Sequence, residues 1–237
     1  MEIIFLAIVF ISTIITGAFG FGSAIILIPV SSFFMDIKEA IAILTIYFMS
    51  VNINQIILFR KKIDWQLVGY ILLGAIPAAI AGASLMVISP SDLLKRLLGI
   101  IIILYILNEI FQFLKKYKLK KFMISFVSIF YGFFAGIIGT GSGIKAAILT
   151  HMGITKEGFI AIMATTAIFV NTIKTIIYSR SSLVSAEDIP LMAALIAIGF
   201  TGSYIGKLLV KKISPVLFRY AILIILLFIG LKLIIFP

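Results

Sequence analysis

Eight long apolar stretches, separated by short polar connections, fill most of this 237-residue chain. Six of them have the length of one membrane-crossing helix, since about 20 apolar residues span a hydrocarbon core of about 30 Å. They are residues 40–59, 66–88, 93–114, 158–178, 189–209 and 216–236. Only 12% of the residues are charged and the mean hydropathy is +1.27, so a water-soluble fold would lack the polar surface it needs. We therefore predict a multi-pass protein of the cell membrane.

The two remaining stretches, 3–35 and 122–152, are too long for one ordinary span and are interrupted by glycines. Each is predicted to form two arms of about 14 residues, or about 21 Å at helical rise. Arms that short favour a helical hairpin, which enters the membrane, turns at depth and returns. The interrupting glycines are Gly17, Gly20 and Gly22 in the first stretch and Gly136, Gly139, Gly141 and Gly143 in the second.

The two halves of the chain repeat. Residues 17–23 (GAFGFGS) align with residues 136–142 (GIIGTGS) at a shift of 119, and Asn52 aligns with Asn171 at the same shift. Repeats are typical of transporters, and interrupted apolar segments at matching positions indicate a binding site. We predict an all-α membrane protein with two inverted repeats, each a glycine-broken helical hairpin followed by three transmembrane helices.

The placement of basic residues predicts the topology. If each interrupted stretch is a hairpin, thirteen basic residues of the connections lie on one side of the membrane and five on the other. If each stretch crosses once, the division is ten against eight, which carries no signal. The positive-inside rule favours hairpins, and the odd number of crossings per half then inverts the repeats. The repeats are 1–114 and 122–237 in one membrane domain, the connector 115–121 is expected in the cytoplasm, and both termini are expected outside.

The two hairpin tips are predicted to meet near the midplane and to form an anion site. Non-helical backbone is tolerated at that depth only where protein buries it or where it lines a cavity. The returning arms begin near Ser23 and Ser142, so their free N–H groups and positive helix ends are directed at the tips. The alternative is that the glycines only allow close helix packing. The expected binding residues of the tips are Gly20, Gly22, Ser23, Gly139, Thr140, Gly141, Ser142 and Gly143.

Three further residues within the spans are candidate ligands of the anion. Lys145 lies in the middle of an apolar run, where its repeat equivalent is Ile26. We expect it to pair with a bound anion; the alternative is a side chain that extends to the cytoplasmic surface. Asn52 and Asn171 are expected to donate to substrate oxygens, or else to bond between helices. For Lys174, extension to the surface is favoured over a place on the anion path.

Enzymatic and metal chemistry lack the residues they need. The chain has no cysteine and one histidine, His151. Ser142 resembles a buried nucleophile, but His151 is nine residues further on, more than about 10 Å away along a helix. The basic residues lie in short runs between spans, which does not indicate a nucleic-acid partner. We predict no enzyme activity, no cofactor and no metal site; an anion channel of the same fold is the alternative to a carrier.

The glycine motifs, the 119-residue repeat and the chain length resemble the TauE/SafE family of sulfite and organosulfonate transporters. The motifs are Gly17-x-x-Gly20-x-Gly22-Ser23-Ala24 followed by Pro29, and Gly136-x-x-Gly139-x-Gly141-Ser142-Gly143. Ser23, Ala24 and Ser142 replace glycines that are usual in the family, and Ile148 stands where a second proline is expected. The two repeated halves predict a secondary transporter in which one half rocks against the other, which gives alternating access, and the resemblance implies that it carries sulfur-containing oxyanions. Its expected role is export of sulfite, sulfoacetate or another organosulfonate; a different small anion is the alternative.

Overall fold

The structure is a computed structural model that describes residues 2–19, 23–111, 121–150, 152, 154–209 and 215–237. Within these residues the fold is all-α, with two short 3₁₀ turns and no strand. The α-helices are α1 (Glu2–Phe19), α2 (Ser23–Ser31), α3 (Ile37–Phe59), α4 (Trp65–Ile88), α5 (Ser91–Phe111), α6 (Lys121–Ile137), α7 (Ser142–Thr150), α8 (Lys156–Ser179), α9 (Ile189–Leu209) and α10 (Pro215–Ile235). The predicted all-α class is confirmed.

Six of the helices coincide with the six predicted spans. These are α3, α4, α5, α8, α9 and α10, which have 21 to 24 residues, or about 31 to 36 Å. Polar caps begin some of them: Asp36 accepts from the Lys38 amide before α3, and Asp64 accepts from the Leu67 amide before α4. Four segments of the described chain qualify as membrane spans by length and apolar composition: Ile37–Lys62, Trp65–Ile88, Lys156–Ser179 and Ala186–Gly206.

Each glycine-broken stretch forms two helices of unequal length. The arms have 18 and nine residues in the first stretch (α1, α2) and 17 and nine in the second (α6, α7). The prediction of two arms of about 14 residues was therefore wrong. The long arms measure about 26 Å and the short arms about 13 Å, which is less than half of the hydrocarbon core. A helix of the shorter length that ends at the membrane surface begins near the midplane.

The unequal arms follow from what the individual glycines do. Gly136 lies within α6 because its missing side chain lets this helix pack directly on α4. A Cβ atom on Gly136 would come within 2.6 Å of the Ala79 carbonyl oxygen, and one on Gly132 would clash with the backbone of Ala75. For these two glycines the close-packing interpretation applies. The helix therefore continues past Gly136, ends at Ile137, and leaves a short turn before α7.

In each of the main helix pairs, a helix of the first half packs on a helix of the second half. α1 packs on α9 as α6 packs on α4, while α3 packs on α8 and α5 on α10. α3 and α8 run antiparallel, because Met49 in α3 contacts Thr175 near the end of α8, whereas Lys62, just after α3, lies beside Gly158 at the start of α8. Inverted repeats require this orientation for their equivalent helices. The inversion of the whole halves stays a prediction. The cytoplasmic location of the connector 115–121, most of which lies outside the described residues, also stays a prediction.

The outer faces of several helices are strongly apolar. Leu73 of α4, Phe126 of α6 and Phe228 of α10 are 70%, 62% and 68% exposed. Apolar side chains that face outward on most sides of a helical bundle would drive aggregation in water, whereas they pack favourably against lipid tails. The exposed surface therefore agrees with the spans in placing the bundle in a bilayer.

Candidate binding site

A cavity of about 90 Å³ lies where α3, α8 and the turn between α6 and α7 meet. Eight of the eleven predicted binding residues line it: Ser23, Asn52, Gly139, Thr140, Gly141, Ser142, Lys145 and Asn171. They come from both halves of the chain and from both hairpins. The fold thus brings together residues that are up to 148 positions apart in the sequence, between Ser23 and Asn171.

The turn between α6 and α7 forms one wall of this cavity. Gly139 has a φ angle of +77°, a left-handed conformation that residues with a side chain rarely adopt. Thr140 is buried beside it, and α7 begins at Ser142. The Gly141 carbonyl accepts from the Ile144 amide at 3.1 Å and from the Lys145 amide at 3.3 Å, whereas the amides of Ser142 and Gly143 have no acceptor within α7. The turn therefore offers backbone donors and a positive helix end to the cavity.

Lys145 is a buried cation in the cavity wall, with 2% of its surface exposed. Its ammonium group donates to the Tyr131 hydroxyl at 3.0 Å, the Met163 carbonyl at 2.8 Å and the Thr166 hydroxyl at 3.0 Å. It also lies 4.4 Å from the centre of the Tyr131 ring. All these partners are neutral, so they solvate the charge without cancelling it. The side chain does not extend to the surface, which was the alternative considered for it.

Asn52 and Asn171 lie at the same level of the antiparallel α3–α8 pair, and both line the cavity. The Asn171 side-chain oxygen accepts a hydrogen bond of 3.3 Å from the ammonium group of Lys174. Because an ammonium group only donates, the atom it contacts must be the oxygen, which leaves the NH₂ group of Asn171 for other partners. Lys174 itself is 1% exposed, so the expectation that it extends to the surface was wrong.

Further side chains complete the wall, and sequence reasoning passed over most of them. On each helix they are spaced three or four residues apart and share one face. They are Phe48, Val51 and Gln55 of α3 and Met163, Ala167 and Val170 of α8. The partners of Lys145 were also missed. Thr166 could have been found from the sequence, because two adjacent threonines inside an apolar span indicate a polar contact. Tyr131 contacts Lys145 only because α6 packs against α7 and α8, and no local sequence pattern reveals that packing.

Three predicted residues have a different outcome. Gly143 faces a neighbouring apolar cavity of about 220 Å³, beside the ring of Tyr105. Gly20 and Gly22 lie outside the described residues, as does His151. From the first hairpin, Ser23 and the adjoining Ala24 line the central cavity.

An open cavity of about 480 Å³ lies at the end of the α3–α8 pair. The exposed residues Arg60–Lys62 surround it, together with Glu157 at the start of α8. This end is the one nearer Lys145, because Lys145 contacts Met163 in the first third of α8. Clustered cations at the mouth of a path raise the local concentration of anions.

The fold and the cavity together define a class of protein. Apolar helices of membrane length surround a cavity whose charged wall residue is a cation. In the part of the chain that the structure describes, no three acidic or histidine side chains lie close enough to hold a metal ion. These are the features of a multi-pass membrane transport protein for small anions.

Comparison with known families specifies this class further. The family profile described as sulfite exporter TauE/SafE matches residues 4–233, which is nearly the whole chain. The chain belongs to the TauE/SafE family. It is therefore a membrane transport protein for small, sulfur-containing anions, not an enzyme, and its partners are that anion and membrane lipid. Comparisons with curated proteins and with solved structures gave no match.

Proposed function

We propose that the chain exports small sulfur-containing oxyanions, such as sulfite, sulfoacetate or another organosulfonate, across the cell membrane. The observation that carries the proposal is the cavity at which the start of α7 and the buried Lys145 meet. The positive sign of this site favours an anion. The sulfur chemistry is supported by membership of the family.

The groups around the cavity suit an oxyanion. Its oxygens accept hydrogen bonds, and the wall offers the first amides of α7, the hydroxyls of Ser23 and Ser142, and the amides of Asn52 and Asn171. Hydrogen bonds to a charged acceptor are stronger than those between neutral groups. A volume of about 90 Å³ is several times the roughly 10–15 Å³ that a single water needs on this measure. Sulfite, with four heavy atoms, is therefore a suitable occupant.

Transport is proposed to proceed by alternating access. The α3–α8 pair crosses at the cavity, and each of these helices belongs to a different half of the chain. Rocking of one half against the other would open the cavity first to the Arg60–Lys62 end and then to the opposite end. With the Arg60–Lys62 end in the cytoplasm and both termini outside, loading of the anion at the basic end and its release at the opposite end is export.

An anion channel of the same fold is the second candidate function, since a central cavity also suits a pore. Exchange across liposomes distinguishes the two. A carrier takes up labelled sulfite faster when unlabelled sulfite is present inside, because the return of the loaded site is accelerated. A channel shows no such acceleration. Uptake that is indifferent to internal sulfite would reject the carrier mechanism but keep the substrate.

The substrate is tested by a thermal-shift screen of the purified protein in detergent. Sulfite, sulfate, thiosulfate and short sulfonates are compared at equal ionic strength, with chloride as the control. A ligand that binds the folded state stabilises it by about 2.7 kcal/mol at a hundred times its Kd. We expect the sulfur oxyanions to raise the midpoint of unfolding and chloride to leave it unchanged. If no sulfur oxyanion stabilises the protein or crosses liposomes, the proposed function is wrong.

A further inference from the structure

The cavity-lining face of α8 continues beyond the cavity to a second buried lysine. Met163, Ala167, Val170 and Asn171 line the cavity at intervals that repeat one helical face. Lys174 follows Asn171 by three residues and lies on the same face. The contacts of Lys145 with Met163 and Thr166 are eight to eleven residues earlier. Lys145 thus lies in the cavity wall, and Lys174 lies beyond the Asn171 end of the cavity, about 12–16 Å further along α8.

The two lysines differ in how well the protein satisfies them. Lys145 has three acceptors at 2.8 to 3.0 Å, one for each of its N–H groups. Lys174 is as deeply buried, but among the described residues its hydrogen-bond acceptor is Asn171 alone, at 3.3 Å. An ammonium group has three donors, and leaving them unmade in the membrane is costly. Lys174 is therefore the cation with donors to spare.

No carboxylate compensates Lys174 within the part of the chain described. An ion pair of that part joins Lys95 to Asp92, near the start of α5. The acidic residues of the sequence lie at helix ends and in connections, and α8 carries none beyond Glu157 in its first turn. Within a membrane-spanning helix, a buried cation with spare donors and no anionic neighbour is a candidate site for an external anion.

The far side of Lys174 is closed. Tyr178, one turn further along α8, is buried, and its hydroxyl donates to the Gly136 carbonyl oxygen at 2.7 Å. This bond joins α8 to the last turn of α6 before the hairpin tip. An anion at Lys174 would therefore be shielded from that side, while the cavity lies on its other side.

We propose that Lys174 forms a second anion-binding station, beyond the Asn171 end of the cavity. A small oxyanion that has entered from the Arg60–Lys62 end passes along α8 and is held at Lys174, with the NH₂ group of Asn171 as a further donor. The station rests on the proposed transport of oxyanions, and it extends that function by a second site on the path. The expected ligand is a small sulfur oxyanion such as sulfite.

Three substitutions separate a charge from a positioning role for Lys174. Lys174→Met removes the charge at similar volume, Lys174→Gln keeps a donor for the Asn171 oxygen without the charge, and Lys174→Arg keeps the charge. We expect at least tenfold slower sulfite flux in liposomes for the Met and Gln variants and retention of most flux by the Arg variant. A Gln variant equal to the unmodified protein would overturn the station, because orienting Asn171 would then be sufficient.

A chemical rescue compares one folded variant before and after modification, so that a difference in folding between variants cannot explain the result. The chain has no cysteine, so Lys174→Cys introduces its only thiol. Alkylation with 2-bromoethylamine, the aminoethyl reagent, forms a thioether, which sulfite does not cleave, and restores an ammonium group at lysine length; the thiol loses its proton and bromide is the leaving group. Iodomethane, the methyl reagent, adds a neutral methyl group through the same kind of thioether, with iodide as the leaving group. The matched control is Lys95→Cys, at a peripheral ion pair, whose flux is expected to be unchanged by either reagent.

The outcomes distinguish the station from the proposed function. Rescue of flux by the aminoethyl reagent and not by the methyl reagent supports the station. Equal flux after both reagents, or a thiol that remains unmodified during sulfite turnover, overturns it. If the unmodified protein neither binds nor transports sulfite, the proposed function itself fails. If it transports sulfite and the Lys174 variants match it, only the second station is wrong.

Discussion

Replacing Lys145 by methionine isolates the contribution of one buried charge to anion binding. Methionine has a similar length and fills the same space, so no cavity is created. The substitution removes three hydrogen bonds to neutral acceptors, but it also removes the cost of keeping an ammonium group out of water. Thr166 keeps a partner, since its hydroxyl donates to the Ile162 carbonyl at 2.7 Å. We therefore expect the ligand-free variant to be about as stable as the original protein.

The affinity for the anion should change far more than the stability. Lys145 is 2% exposed, so its charge acts through protein and not through bulk water. A unit charge about 5 Å from a bound monovalent anion contributes about 3 kcal/mol at an effective dielectric constant of about 20. Because about 1.4 kcal/mol corresponds to a tenfold change, the Kd should rise roughly a hundredfold. An exposed lysine would contribute less than about 1 kcal/mol.

Thermal unfolding with a sulfite titration measures both quantities on one sample. At a concentration that saturates both proteins, a hundredfold weaker Kd removes about 2.7 kcal/mol of ligand stabilisation. Lys95→Met, at the peripheral pair with Asp92, is the control and should change the Kd by less than about threefold. If Lys145→Met binds sulfite within threefold of the original protein, Lys145 is not a ligand, and the electrostatic reasoning for this cavity is refuted.

Three further predictions test the turn, the opposite wall and the topology. Gly141→Ala should abolish sulfite flux in liposomes, because its Cβ would lie 2.5 Å from the Tyr131 carbonyl oxygen and displace the turn. The control is Gly69→Ala, whose Cβ meets nothing within 4 Å; it should keep full flux and gain up to about 1 kcal/mol of helix stability. Equal flux in the two variants would count against a role of the turn in binding. Asn52→Asp should weaken sulfite binding at least tenfold in the thermal-shift assay, since a carboxylate then faces the anion; an unchanged Kd would exclude Asn52 from the site. Single cysteines placed at either terminus of this cysteine-free chain should react with a membrane-impermeant thiol reagent on intact cells, and a cysteine within 115–121 should not; the reverse pattern would overturn the proposed orientation.

Much of the fold could be predicted from local patterns. A span such as 66–88 needs only a long apolar run with polar ends, and α4 (Trp65–Ile88) follows it within one residue. Every backbone donor and acceptor of such a run must be satisfied inside the helix, which leaves no alternative conformation in lipid. The arm lengths could not be predicted in the same way. Whether Gly136 breaks α6 or packs it depends on Ala79 of a distant helix, and the glycine itself is the same in either case.

The candidate site shows the same division. Gly139 could be identified locally, because a turn at depth demands a residue that tolerates positive φ. Lys145 could be identified because a charge within an apolar run is costly unless it has a partner or a function. The cation at Lys174 was misjudged: its distance from the end of α8 allows extension to the surface, and only the packing of neighbouring helices makes it 1% exposed.

Hydropathy and spacing along the chain are enough to predict that this protein lies in the membrane as helices, carries two glycine-broken segments and has Lys145 inside an apolar segment. Lipid enforces these features residue by residue, since each depends on transfer from water to hydrocarbon. The cavity itself is a different matter. It exists because α3 and α8 pack antiparallel and place Asn52 opposite Asn171 beside the start of α7. Which side chains share that space is set by contacts between the two halves of the chain, such as Met49 with Thr175. Which lysine retains spare donors is set by how α6, α7 and α8 pack around each ammonium group.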